Sequence, residues 1–392
     1  MPHPDYTGKS AAMHFPPWPQ SDEREAELLR MVLDSPQWGG FHPFVAEFEA
    51  SFAEYQHSKY GISAFNGTVT LELALELLGI GAGDEVIVPA ISFISTAAAV
   101  SRAGATPVFV DIGQDTYNLD PARISEAITE RTRAVMAVHF GGTPCELDEV
   151  QRLCREHRLH LIEDAAHAQG SEWNGRRAGS FGVMGSFSFQ NGKVLCAGEG
   201  GMLVTSDQEH GERARSIANC GRTPGRSHYE HTRLGTNYRL GAFQAAILLA
   251  QLERLPDQIA HRTRNAATLK KALANVGEIV WQTQPDAVTQ NSWYLMIGRF
   301  KDRTVDRDAF IRTLAEAGVP CTPFYPHTLY QNPLYAIEPC RVMECPVAER
   351  SLRDSFWFPH RVLLADEETI VRLAHVMREA LVLSSVATSR RS

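Results

Sequence analysis

Long apolar runs are missing from this 392-residue chain: no stretch reaches the roughly 18 uninterrupted apolar residues that a membrane-spanning helix needs. The opening Met1-Pro2-His3-Pro4-Asp5-Tyr6 also lacks the charged start and apolar core of a secretory leader, so no membrane partner and a cytoplasmic location are expected. Cysteine is sparse, with seven residues at positions 145, 154, 196, 220, 321, 340 and 345 and no Cys-x-x-Cys pair. That usage excludes a disulfide framework and a zinc site, and the thiols are expected to be reduced. Positive charge is in deficit, the net charge being −8 and the isoelectric point about 6.0. Nucleic-acid binding needs Lys and Arg to neutralise phosphates, so that partner is not expected.

Signatures of several other chemistries are absent too. Gln190-Asn191-Gly192-Lys193 is no P-loop, because Phe187 stands at the first glycine position and Val194 replaces Ser or Thr. Gly79-Ile80-Gly81-Ala82-Gly83 precedes a strand pattern where a dinucleotide fingerprint must follow one, and Asp84 takes the last glycine position. His228 and His231 lie three apart without a His-Glu-x-x-His pattern, and no metal is expected.

What the chain has is a globular balance, 44% apolar and 21% charged, at a length that suggests two domains. Residues 1–20 read as a Pro- and His-containing arm. A large domain over 21–255 opens with the helical pattern Glu23 to Leu33. In it, apolar strands at Glu85 to Pro89, Thr106 to Val110, Ala134 to His139 and His160 to Glu163 alternate with helical stretches, predicting βαβ units and a mostly parallel sheet. A helical pattern from Leu240 to about Ala274 leaves this domain. Residues 256–392 read as a smaller C-terminal α/β domain, with a strand at Trp293 to Phe300 and helices at Asp306 to Ala317 and Glu367 to Leu381.

Three segments carry chemistry. Phe187-Ser188-Phe189-Gln190-Asn191-Gly192-Lys193, followed by Ala197-Gly198-Glu199-Gly200-Gly201, presents one lysine at the edge of a core. An amine stripped of water there can attack a carbonyl and form a Schiff base; alone, Lys193 also reads as a solvated side chain. Leu159 to Glu163 is a short apolar strand ending at Asp164, and strand carboxyl ends face the ligand crevice of a wound α/β sheet. A carboxylate there can pair with the pyridinium nitrogen of pyridoxal phosphate, or cap a helix. Asn66-Gly67-Thr68 runs straight into an amphipathic helix, whose start suits phosphate; Thr68 also fits a cap with no ligand.

These segments come in a familiar order: Gly67-Thr68 at a helix start, Phe93 within Pro89-Ala90-Ile91-Ser92-Phe93-Ile94-Ser95-Thr96, Glu163-Asp164-Ala165-Ala166-His167, and Ser188 before Lys193. In this the chain resembles the DegT/DnrJ/EryC1/StrS sugar aminotransferase family over roughly residues 15–385. Val138-His139-Phe140-Gly141-Gly142 and Gly235-Thr236-Asn237-Tyr238-Arg239-Leu240 extend the likeness. Gln190, where many relatives carry His, makes it most similar to the branch of keto-cyclitol aminotransferases and 3-amino-5-hydroxybenzoate synthases. Thr70 departs from the family's small residue and Leu240 from its frequent Met.

The resemblance implies an aspartate-aminotransferase-like fold (fold type I) and pyridoxal 5'-phosphate as cofactor. Lys193 would form the Schiff base and shuttle the substrate proton. Asp164 would meet the pyridine nitrogen, Phe93 would stack on the ring, and His167 would lie near its phenolic oxygen or other face. Gly67, Thr68, Val69 and Ser188 would hold the phosphate, with Asn237 reaching it from the other subunit of a homodimer with shared sites. Trp38, Gln190, His327 and His360 are substrate candidates. The implied reaction moves an amino group from Glu or Gln to a keto-cyclitol or keto-sugar in aminocyclitol or aminosugar biosynthesis. The alternative is a dehydratase and aromatase of the 3-amino-5-hydroxybenzoate synthase type. Retention of Lys193 argues against a non-catalytic regulator and against the family's dehydratases that carry histidine there.

Overall fold

The computed structural model describes residues 12–223, 227, 229–301 and 304–389; the first eleven residues of the arm, and His228, lie outside the described residues. An eight-stranded sheet runs, edge to edge, through Tyr60–Ala64, Gly201–Thr205, Met184–Ser188, His160–Asp164, Thr132–Val138, Glu85–Pro89, Thr106–Val110 and Arg341–Val342. Gly201–Thr205 pairs antiparallel with both its neighbours, and the other pairings are parallel. Helices cover both faces, so the inner strands are buried nearly throughout instead of alternating; every residue of Glu85–Pro89 is buried. The architecture is α/β, aspartate-aminotransferase-like, with a mostly parallel large sheet.

Two cores flank that sheet. Leu71, Leu75, Val86, Val88 and Val100 pack on one side, and Ile87, Val108, Val135, Leu147 and Val150 on the other. A third, under Lys193, joins Phe48, Phe52, Phe187 and Phe189 to the helix Ala242–Ala272. That 31-residue helix contains Pro256. Before it, Ala245, Leu248 and Leu249 belong to the core beneath Lys193; beyond it, Ala266 and Leu269 belong to a separate core around an antiparallel sheet. This sheet orders Ile279–Trp281, Leu295–Phe300, Ser355–Pro359 and Thr322–Pro323, and the helices Arg307–Glu316 and Glu367–Ser389 pack on it. Arg341–Val342 returns from this C-terminal region to the edge of the large sheet, where Arg341 meets the buried Glu85 at 3.2 Å.

The chain also ties its start to the C-terminal sheet. Met13 is buried in that core and donates its amide to the Ala317 carbonyl at 2.8 Å. Among the described residues no helix is long and apolar enough to cross a membrane, and all seven cysteines are free.

Candidate active site

Where the parallel strands end, the chain encloses a cavity of about 400 Å³. Its wall brings together Gly67, Thr68, Phe93, Asp164, His167, Ser188, Gln190 and Lys193, eight residues singled out in the sequence. The helix Gly67–Leu77 aims its start at one end of this space, and the Asn66 side chain caps it by accepting the Val69 amide at 3.0 Å. Val69 is therefore buried with its N–H already engaged, while the Gly67 and Thr68 amides precede the intrahelical ladder and are free for an anion. Glycine is required here, because a Cβ at 67 would stand 2.8 Å from the Ser188 Cβ. Thr68 Oγ1 lies 2.7 Å from Ser95 Oγ, adding hydroxyls to the cradle. Thr70 fits because its hydroxyl donates to the Gly67 carbonyl at 2.8 Å and lies 2.7 Å from Ser186 Oγ.

Adjacent carboxylates of one strand do different work, since successive strand side chains face opposite ways. Glu163 accepts the amides of Gly179, Phe181 and Gly182 and lies 2.9 Å from His139 Nε2, which builds the turn beneath the site. Asp164 ends its strand at the cavity. Thr96 Oγ1 donates to its Oδ2 at 2.7 Å, and the Ala166 amide to its Oδ1 at 3.3 Å. Ser92 Oγ lies 2.7 Å from Thr96 Oγ1, and with the Thr96 proton spent on Asp164 the Ser92 hydroxyl is the donor. Burial pushes the Asp164 carboxyl above its ordinary range, and the Thr96 and Ala166 bonds hold it down.

Lys193 is buried, its Nζ 4.5 Å above the ring of Tyr294. Tyr294 in turn stacks on His167 with centroids 4.1 Å apart. Burial, then the charges of Lys193 and His139, hold His167 well below the imidazole range, so its ring is neutral. Phe93 is 58% exposed within the cavity wall, an uncovered ring face beside a carboxylate and an amine. Gln190 lines the wall, but its Oε1 accepts the Gly192 amide at 2.8 Å and bends the side chain back over its own turn.

The remaining predicted residues lie outside this wall. Trp38 is exposed and tilts against Phe243 with ring centroids 5.7 Å apart. Asn237 is exposed and bridges Asn219, and its Oδ1 accepts the Arg239 amide at 3.3 Å. His327 is exposed and His360 is buried behind Gly192. Sequence reasoning missed Tyr294, Tyr325 and Glu199, which do line the cavity, and Thr96 beneath it. Glu199 lies in the glycine-rich stretch after Lys193 and Thr96 in the segment around Phe93, yet neither residue type marks a site by itself.

Pyridoxal phosphate suits these groups. Amides at a helix start and nearby hydroxyls fit its phosphate, Asp164 its ring nitrogen, Phe93 its plane and Lys193 its aldehyde. Fold and cradle together define a pyridoxal-phosphate-dependent enzyme. The comparisons carry this further: residues 19–377 match the DegT/DnrJ/EryC1/StrS aminotransferase family, and the chain belongs to it. It is 36% identical to the 3-amino-5-hydroxybenzoate synthase of Amycolatopsis mediterranei (strain S699), over 94% of this chain and 98% of that one. It is 37% identical to the L-glutamine:scyllo-inosose aminotransferase of Streptomyces griseus, over 94% of each. A crystal structure of 3-amino-5-hydroxybenzoic acid synthase superposes with a TM-score of 0.90 at 36% identity, covering 95% of this chain and 99% of that one. The protein is a pyridoxal-phosphate-dependent aminotransferase by family.

Proposed function

We propose that the enzyme transfers an amino group from glutamine or glutamate to the ketone of a cyclitol or sugar, in aminocyclitol or aminosugar biosynthesis. The observation that carries this reading is Lys193 beside Asp164 in a cavity with an uncovered ring face, within a chain similar to scyllo-inosose aminotransferases. Bound there, pyridoxal phosphate supplies an electron sink for the carbon that carries the nitrogen. Lys193 Nζ would hold the cofactor's aldehyde and would move the proton that leaves one carbon and returns to another. Asp164 keeps a negative charge at the ring nitrogen. Phe93 and His167 confine the ring, and the Gly67 and Thr68 amides with Ser188 bind the phosphate.

The site is completed by a second copy of the chain, with Asn237 reaching the partner's phosphate. Trp38, Phe41 and Phe65 support this, all being exposed, with Phe65 directly before the Asn66 cap of the helix Gly67–Leu77. Phe65 packs on Tyr238 and donates its amide to the Tyr238 carbonyl, and the Trp38 carbonyl accepts the Ala242 amide. An apolar surface of this kind favours association. Among substrate residues, Gln190 keeps its Oε1 on the Gly192 amide and offers its amide nitrogen to the substrate, while Trp38 and His327 act at the entrance that the partner covers.

Glutamine or glutamate alone is expected to bleach the visible band of the bound cofactor, and a keto-cyclitol to restore it, with Lys193→Ala inert in both halves. A second reading follows from the likeness to 3-amino-5-hydroxybenzoate synthase: dehydration and aromatisation of an aminoketone. Indifference to every amino donor, together with release of water from an aminoketone, would replace the first reading by the second.

A further inference from the structure

The turn that carries Lys193 is gripped from behind, by groups distant in the chain. Trp18 Nε1 donates to the carbonyl of Lys193 itself at 3.1 Å. His360 Nε2 lies 3.2 Å from the Gly192 carbonyl, and since a carbonyl only accepts, this nitrogen carries the proton. The two gripping rings touch each other edge to face, with centroids 4.4 Å apart. His360 then closes a circuit, donating its backbone amide to the Tyr294 carbonyl at 3.1 Å, while Tyr294 presents its ring to Lys193 Nζ.

Both grips are anchored in the C-terminal sheet and not in the large one. His360 follows the strand Ser355–Pro359 directly. Trp18 follows a segment tied down by the buried Met13 and by Arg361 Nη1, which donates to the Pro16 carbonyl at 3.3 Å. His360 is buried, its ring is kept neutral by that burial, and its Nδ1 has no partner among the described residues. A single-purpose donor is what remains of it.

We propose that Trp18 and His360 are positioning residues for Lys193, clamping two consecutive carbonyls so that Nζ stays over the Tyr294 ring and moves with the C-terminal sheet. This rests on the reading that Lys193 bonds the cofactor. Two donors from separate segments on adjacent carbonyls remove the peptide rotations by which the turn could swing its side chain out of the cavity. A 1 Å misplacement of a reacting amine is expensive in rate.

The test is the rate at which the visible band forms when pyridoxal phosphate is added to protein freed of it, read beside the melting temperature of the cofactor-free protein. Trp18→Phe keeps an aromatic edge against His360 and deletes one N–H. It is expected to slow band formation about tenfold, with melting unchanged to within about 2 °C. His360→Gln retains a donor amide and is expected to stay within about threefold of the parent, whereas His360→Leu falls with Trp18→Phe. Rates within about twofold of the parent in Trp18→Phe would overturn the proposal, as would slow rates matched by a parallel loss of melting temperature. Trp18→Phe decides alone if His360→Leu does not fold. A parent protein that forms no band would instead sink the assignment of Lys193 on which the clamp depends.

Discussion

Asp164 is the residue on which burial and hydrogen bonding pull in opposite directions. Burial favours its neutral form, and the Thr96 hydroxyl is the strongest opposing influence. Thr96→Val deletes a donor to a buried carboxylate, a bond of about 1.5–3 kcal/mol. Pyridoxal phosphate is expected to bind roughly tenfold more weakly at neutral pH. The pH below which binding weakens is expected to move upward, because the variant's Asp164 takes its proton earlier. Fluorescence titration of the cofactor between pH 5 and 8 checks both, and an unchanged profile would mean that Thr96 is mere packing. Asp164 was legible from its place at a strand end. Thr96 was not, since its partner lies 68 residues away. Tyr294 had no motif at all, because it reaches Lys193 from another sheet.

At the scale of elements, the helix Gly67–Leu77 separates two effects that sequence reasoning joins. Asn66 caps the helix, and Gly67 leaves room for Ser188 at its start. Asn66→Ala removes a cap and is expected to cost about 1 kcal/mol of stability, yet it frees the Val69 amide at the anion end and leaves cofactor affinity within about twofold. Gly67→Ala places a methyl against Ser188 and is expected to weaken cofactor binding at least tenfold while costing about 1–3 kcal/mol through overpacking. Parallel melting curves and cofactor titrations distinguish them; equal loss of affinity in both would show that the cap itself shapes the phosphate cradle. The strands at Glu85–Pro89 and Thr106–Val110 and the helix Glu23–Leu33 were legible to the residue, because each is a clean run bounded by turn chemistry. Arg341–Val342 was not, for two residues carry no periodicity and the strand exists only through its partner Thr106–Val110.

For the whole molecule, two buried neutral histidines set an acid limit. Burial holds His167 and His360 below their unfolded value, so on acidification the unfolded chain binds protons that the native one refuses. Stability is therefore complete above about pH 6.5 and is lost progressively as the pH falls below it. Asp164, pushed upward, acts with the opposite sign. Urea midpoints of the cofactor-free protein at pH 7.5 and 5.5 check this, and His360→Gln is expected to remove about half of the histidine effect; an equally steep profile would exclude His360. The proposed shared site has its own test. Lys193→Ala and Asn237→Asp subunits, each inactive, are expected to regain activity when mixed, because one site of the heterodimer then holds both native residues. No recovery after demonstrated subunit exchange would confine Asn237 to its own chain.

Local order in the sequence was enough to determine the α/β class, the helix start at Gly67, and Asp164 and Lys193 as candidates that the fold then brings into one cavity. Each depends on a contiguous pattern of apolar, glycine and charged residues whose geometry the backbone imposes. Folding alone decided that Gln190 turns back on the Gly192 amide, that the Val69 amide is taken by Asn66, and that Tyr294, Trp18 and His360 converge on Lys193 and its turn. The contacts on Lys193 and its turn join segments separated by more than a hundred residues, and their partners are chosen by how two sheets pack across one long helix.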